Sequence, residues 1–163
     1  MLLVALLLSC VSSSFAQKKR TPIRFEDFAT AETLTGSRAV PVLRTKLQRE
    51  FRSRILDGAK LPPNFAGHYR IVQWGCGSDC VDFVTVDLNT GDVYDPPFNS
   101  LWVDAFTERW RGEGLIHKVN SRLLVPEGCP SERCGRFYYE WTGHDFKLLT
   151  YTKKAPQWDD NGR

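Results

Sequence analysis

Nothing in this sequence is apolar for the roughly 20 residues that a membrane-spanning helix needs; the run Leu2–Leu8 is far shorter. Neither sign of charge dominates. Its 22 Lys+Arg face 19 Asp+Glu, and the formal net charge of +3 is too small to argue by itself for nucleic acid. The aromatic residues do not interleave with Lys and Arg as a base-stacking platform requires, so no nucleic-acid partner is expected. Internal repeats, low-complexity segments and linkers are missing. So are a phosphate-binding G-x-x-x-x-G-K-[ST] loop, a G-x-G-x-x-G turn, H-E-x-x-H, an EF-hand loop and a G-x-S-x-G elbow. No cofactor and no metal site are therefore expected. What remains is an ordinary globular composition, 42% hydrophobic and 25% charged. It excludes a collagen, a coiled coil, a disordered tail and a multi-span membrane protein.

The 163 residues suit one domain. Met1–Ala16 has no charged residue and reads as a signal peptide, with Ser14 and Ala16 as the small residues before a cut. Residues 17–163 then form a single globular domain, its core roughly 24–152, exported to the periplasm or beyond the cell with no transmembrane span. No Lys or Arg precedes the apolar run, which points to a start site upstream of Met1. Leu7-Leu8-Ser9-Cys10 partly matches a lipobox, so lipoprotein anchoring through Cys10 is the alternative localisation.

Past the signal segment stand Cys76, Cys80, Cys129 and Cys134. An even number in an oxidising compartment implies disulfides. The favoured pairs are local, Cys76–Cys80 and Cys129–Cys134, with crossed pairing between the two loops left open. A four-cysteine zinc site is the weaker rival.

A short helix is expected over Arg24–Glu32. A longer amphipathic one is expected over Val40–Asp57, where Val40, Leu43, Leu47, Phe51 and Ile55 recur at helical steps. Pro41 suits its first turn and Gly58 its stop, while Lys46, Arg49 and Arg52 form the opposite, solvated face. From Ala66 the pattern turns to strands: Ala66–Trp74, Val81–Asp87, Val93–Tyr94 after an Asn89–Asp92 turn, Ile116–Val119, Arg122–Val125, Phe137–Trp141 and Phe146–Thr152. Leu101–Trp110 shows no clean period. A helix first and then a run of short strands predicts α+β, an N-terminal amphipathic helix packed on an antiparallel β-meander of about six to eight strands.

Asn64-Phe65-Ala66-Gly67-His68-Tyr69, then Trp74-Gly75-Cys76-Gly77-Ser78-Asp79-Cys80, the Asp87–Tyr94 hairpin and Asn120-Ser121-Arg122-Leu123-Leu124 form a recognisable set. The chain resembles, over roughly Arg44–Tyr151, a family of small exported bacterial proteins generally labelled hypothetical. The resemblance implies a bacterial source and a single exported domain, and brings no catalytic residues.

The candidate chemical groups cluster around the first strand. His68 is read first as a structural residue that satisfies a backbone group or donates to a carboxylate; with a carboxylate such as Asp79 or Asp82 it is the catalytic candidate. A His68–Cys76 nucleophile fails on distance, because eight strand residues span roughly 26 Å. Trp74, Trp102, Trp110, Tyr138 and Trp141 are candidate binding aromatics, weighed against a simple aromatic core. The missing catalytic constellations favour a non-enzymatic binding module for a protein, glycan or envelope component. The alternative is a small secreted hydrolase acting on cell-wall or extracellular polymer.

Overall fold

A computed structural model describes residues 22–103, 114–130 and 132–153. The expected signal segment, Cys10 and Trp110 lie outside them. Among the described residues the protein is mostly antiparallel sheet with few helices.

The first expected helix is a single 3-10 turn, Phe25–Phe28, after which Ala29 bridges to Ser121. The Val40–Asp57 helix is two pieces, α1 Lys46–Glu50 and α2 Arg52–Ala59, broken at Phe51. Pro41 does not open it. Thr45 does: its hydroxyl accepts the Gln48 N–H and the Gln48 side chain reaches back to the Thr45 N–H, a capping box. Gly58 is not the stop but lies inside α2. A Cβ there would sit 2.5 and 2.7 Å from the Val72 methyls, so glycine lets the helix lie against the sheet.

Eight strands follow among the described residues: β1 Tyr69–Gly75, β2 Cys80–Asp87, β3 Val93–Tyr94, β4 Leu101–Trp102, β5 Leu115–His117, β6 Leu123–Pro130, β7 Gly135–Trp141 and β8 Phe146–Lys153. All their pairings are antiparallel. The spatial path β1-β2-β4-β6-β7-β8, with β3 on β2 and β5 on β6, is not a plain meander. Two-residue β4 stitches the halves together, pairing Cys80 with Trp102 on one side and Trp102 with Cys129 on the other.

Alternation along β1 and β2 builds two cores. Tyr69, Ile71 and Phe83 pack with Phe137, Tyr139, Trp141 and Phe146. Val72, Trp74, Val84 and Val86 pack with Ile55 and Ala59, and Leu43, Leu47 and Phe51 lie against them. Phe51 stacks on Trp74 at 4.5 Å between ring centroids, a contact of about 1 kcal/mol beyond its buried area. The cysteines form the two local pairs, Cys76–Cys80 and Cys129–Cys134.

Candidate functional site

His68 owes its position to a tight turn ahead of β1. Phe65 bridges to Tyr69, and Ala66 and Gly67 between them have φ of 42° and 86°. A Cβ on Gly67 would fall on the Glu32 carbonyl, so this close approach requires glycine. The turn inserts the imidazole between two carboxylates. Nδ1 lies 3.4 Å from Glu32 Oε2 and Nε2 lies 3.6 Å from Asp87 Oδ1, with the His68 side chain 12% exposed. Asp87 is itself oriented, its Oδ1 accepting the N–H groups of Asn89 at 2.8 Å and Thr90 at 3.1 Å. Both imidazole contacts are longer than a good hydrogen bond.

Beside this cluster lies a cavity of about 200 Å³ reached by Glu32, Tyr69, Arg122 and Trp141. The Tyr69 hydroxyl donates to the Gly143 carbonyl at 3.2 Å. Burial pushes its pKa up to about 12, and the Asp87 charge adds to the shift. It is a neutral donor at physiological pH and not a base. Arg122 is held by Glu140 at 2.8 Å. Tyr69, Arg122 and Asp87 are thus engaged, while His68 Nδ1 and Trp141 Nε1 are buried without a hydrogen-bond partner among the described residues.

The carboxylates expected to serve His68 are elsewhere. Asp82 is opposite Trp74 in the ladder while Asp87 is opposite Tyr69. Five strand residues place Asp82 roughly 17 Å from the His68 end. Asp79 sits in the β1–β2 turn at φ 58°, its carbonyl accepting the Val103 N–H. The partners brought to His68, Glu32 and Asp87, have no local sequence signal that pairs them with it.

The aromatic candidates divide. Trp74 and Trp141 are core residues, 3% and 1% exposed, because strand alternation turns them into the two cores. They present no binding face. Tyr138 is half-buried and Trp102 is open to solvent. His144 is exposed in its turn.

The more accessible feature is a cleft of about 560 Å³ along the outer edge of β1, between α2 and β5. Arg54, Asp57, Arg70 and Gln73 line it with Leu115 and His117. Between Arg38 and Lys60 the chain carries seven Lys or Arg against only Glu50 and Asp57. Lys60 holds Asp57 at 2.7 Å. No carboxylate among the described residues forms an ion pair with Arg38, Arg54 or Arg70. Arg70 donates to the Pro62 carbonyl, and its Nε is buried without a partner. Burial and the Arg38 charge hold the Arg70 pKa below the usual guanidinium range. Such a cleft can attract and orient an anionic group.

Among the described residues no group of three or more His, Cys, Asp or Glu could hold a metal ion, and no helix is long and apolar enough to cross a membrane. No protein-family model, curated protein or solved structure matches the chain.

Proposed function

We propose that this protein is an exported, disulfide-stabilised binding module, not an enzyme, whose partner is a protein, glycan or component of the cell envelope. The observation that carries the reading is the cleft beside β1, where Arg54 and Arg70 form no ion pair with any described carboxylate and the one lining carboxylate, Asp57, is held by Lys60. A cleft with excess positive charge focuses the field and raises the local concentration of an anionic partner. Export rests on the signal-like Met1–Ala16 and on disulfides that persist in oxidising compartments. The fold is read as α+β, with α1 and α2 forming a layer over the outer face of β1 and β2.

The hydrolase alternative would have to use His68. Both ring nitrogens already face carboxylates, an arrangement that holds an imidazole more than it presents one. The test sets the two readings side by side. The secreted chain is incubated with isolated cell-envelope fragments, and both retention and released soluble product are measured. Saturable, salt-sensitive retention without product supports a binding module. Release of soluble fragments that stops in His68→Ala at unchanged Tm overturns it in favour of the hydrolase.

A further inference from the structure

The two ends of the sheet differ in how they are finished. At the β8 end, Lys147 and Lys153 stand in the strand and the pairing with β7 shifts register between Tyr138 and Tyr139. Lysines and irregular register are ordinary protections of a sheet edge. At the β1 end the protection stops halfway.

The bonding pattern locates where it stops. The Leu88 N–H donates to the His68 carbonyl and the Cys76 N–H to the Cys80 carbonyl, so even-numbered residues of β1 bond towards β2. Tyr69, Ile71, Gln73 and Gly75 therefore turn their N–H and C=O groups outward. Tyr69 is covered by the backbone of Asn64 and Phe65. Ile71 is covered by the Asn64 side chain, which accepts the Ile71 N–H at 2.8 Å and donates to its carbonyl at 3.1 Å, as a neighbouring strand would. Among the described residues this cover ends at Gln73 and Gly75, and both residues are exposed. The same logic applies across the cleft. Gly114 bonds to Glu127 of β6, so the backbone of Leu115 turns away from β6. The cleft has Ile71, Val72 and Gln73 on one wall and Leu115 on the other, with Arg54 and Arg70 beside them.

We infer that this open stretch of β1 is a strand acceptor: an extended acidic segment of a partner protein adds alongside Gln73 and Gly75 and sets its carboxylates against Arg54 and Arg70. The inference rests on the binding reading above and names the partner's chemistry. Strand addition draws affinity from main-chain hydrogen bonds and specificity from alternate side chains. The even-numbered side chains of β1, Arg70 among them, lie on the α2 side of the strand. An added strand places every second residue on that side, so an acidic residue at alternate positions meets the guanidinium groups.

The probe is a fluorescein-labelled heptapeptide of alternating Glu and Val, titrated against the full exported chain by fluorescence anisotropy. A Lys/Val peptide is expected not to bind, and Arg54→Gln and Arg70→Gln are each expected to weaken binding about tenfold, the loss of one charge-assisted contact. Gln73→Pro removes an outward N–H while leaving the ladder to β2 intact, an edge position where proline is tolerated, and is expected to abolish binding. Should that variant fold poorly, the peptide carries the test instead. Backbone N-methylation at alternate residues is expected to destroy binding in one register and spare it in the other.

Equal effects of methylation in both registers, or binding indifferent to Arg54→Gln and Arg70→Gln, overturn the inference. So does a concentration-dependent dimer that Gln73→Pro abolishes, since β1 would then pair with a second copy. If the peptide fails while envelope retention persists, only the strand acceptor falls. If retention fails too, the binding reading falls with it.

Discussion

Gln48 is the most informative side chain to change, because it is 1% exposed and spends both ends of its amide. Its Oε1 accepts the N–H groups of Arg44 at 2.7 Å and Thr45 at 3.3 Å, fixing the start of α1. Its Nε2 donates to the Val93 carbonyl at 3.1 Å and to Asp95 Oδ1 at 2.8 Å, tying the helix to β3 and to the residue just past its end. Gln48→Ala removes all four contacts. Counting the three shorter ones at about 1 kcal/mol net each gives a loss of about 3 kcal/mol. That corresponds to a fall in Tm of about 10 °C for a domain of this size. Gln48→Glu keeps the acceptor and inverts the donor, turning a carboxylate towards the Val93 carbonyl and Asp95. The introduced carboxyl would have its pKa raised on folding, so its penalty is present above that pKa and relieved as pH falls through the carboxyl range. Urea titrations at pH 7 and pH 4 measure both effects. If Gln48→Glu matches the native chain at pH 7, or its deficit does not shrink relative to Gln48→Ala on acidification, the account of Gln48 is wrong.

Three further outcomes are expected. Replacing Cys76 and Cys80 together by Ser should cost about 2 kcal/mol, the chain entropy of so short a loop, read as a shift in urea midpoint; dithiothreitol, which opens Cys129–Cys134 as well, should shift the native chain further. Tyr69, with its pKa raised from 10.0 to about 12, keeps its proton in the folded state after the unfolded chain has lost its own; stability should fall as pH rises from 10 through 12, and Tyr69→Phe should flatten that fall in alkaline urea melts. Gly67→Ala forces a Cβ onto the Glu32 carbonyl at positive φ, which should cost at least about 1–3 kcal/mol and move the His68 ring resonances in an NMR spectrum; an unchanged Tm would refute the close approach.

Local rules reach the strands whose pattern is local. The alternation of Tyr69, Ile71, Val72 and Trp74, the Gly91 turn at φ 84° and the Phe137–Trp141 face all follow from neighbouring residues. The helix is harder to place because the stripe from Val40 to Ile55 also suits an extended entry segment followed by a helix; Val42 bridges to Asp92 before α1 begins. The capping pattern Thr45-x-x-Gln48 carries the true start. The strand expected at Arg122–Val125 runs on to Pro130 because neighbours on both sides support it. Its ladder to β7 skips Val125 and Pro126, where proline has no N–H to give. Site geometry is the least legible part. Glu32 and Asp87 meet His68 through the turn at Gly67, and the open edge of β1 depends on which strands fail to arrive beside it. Neither is written in any single stretch of sequence.

The two disulfides lie on either side of Trp102, which pairs with Cys80 across one ladder and Cys129 across the other. Each links cysteines only four or five residues apart, yet the junction they flank joins segments far apart in sequence. Contacts of that kind form slowly because long loops must close first. Oxidation can shape both receiving ends before β4 arrives, leaving two residues to find a place already made. The order of events during folding therefore depends on redox state: without the disulfides nothing shapes this corner in advance, and refolding of the reduced chain should slow more than its unfolding quickens.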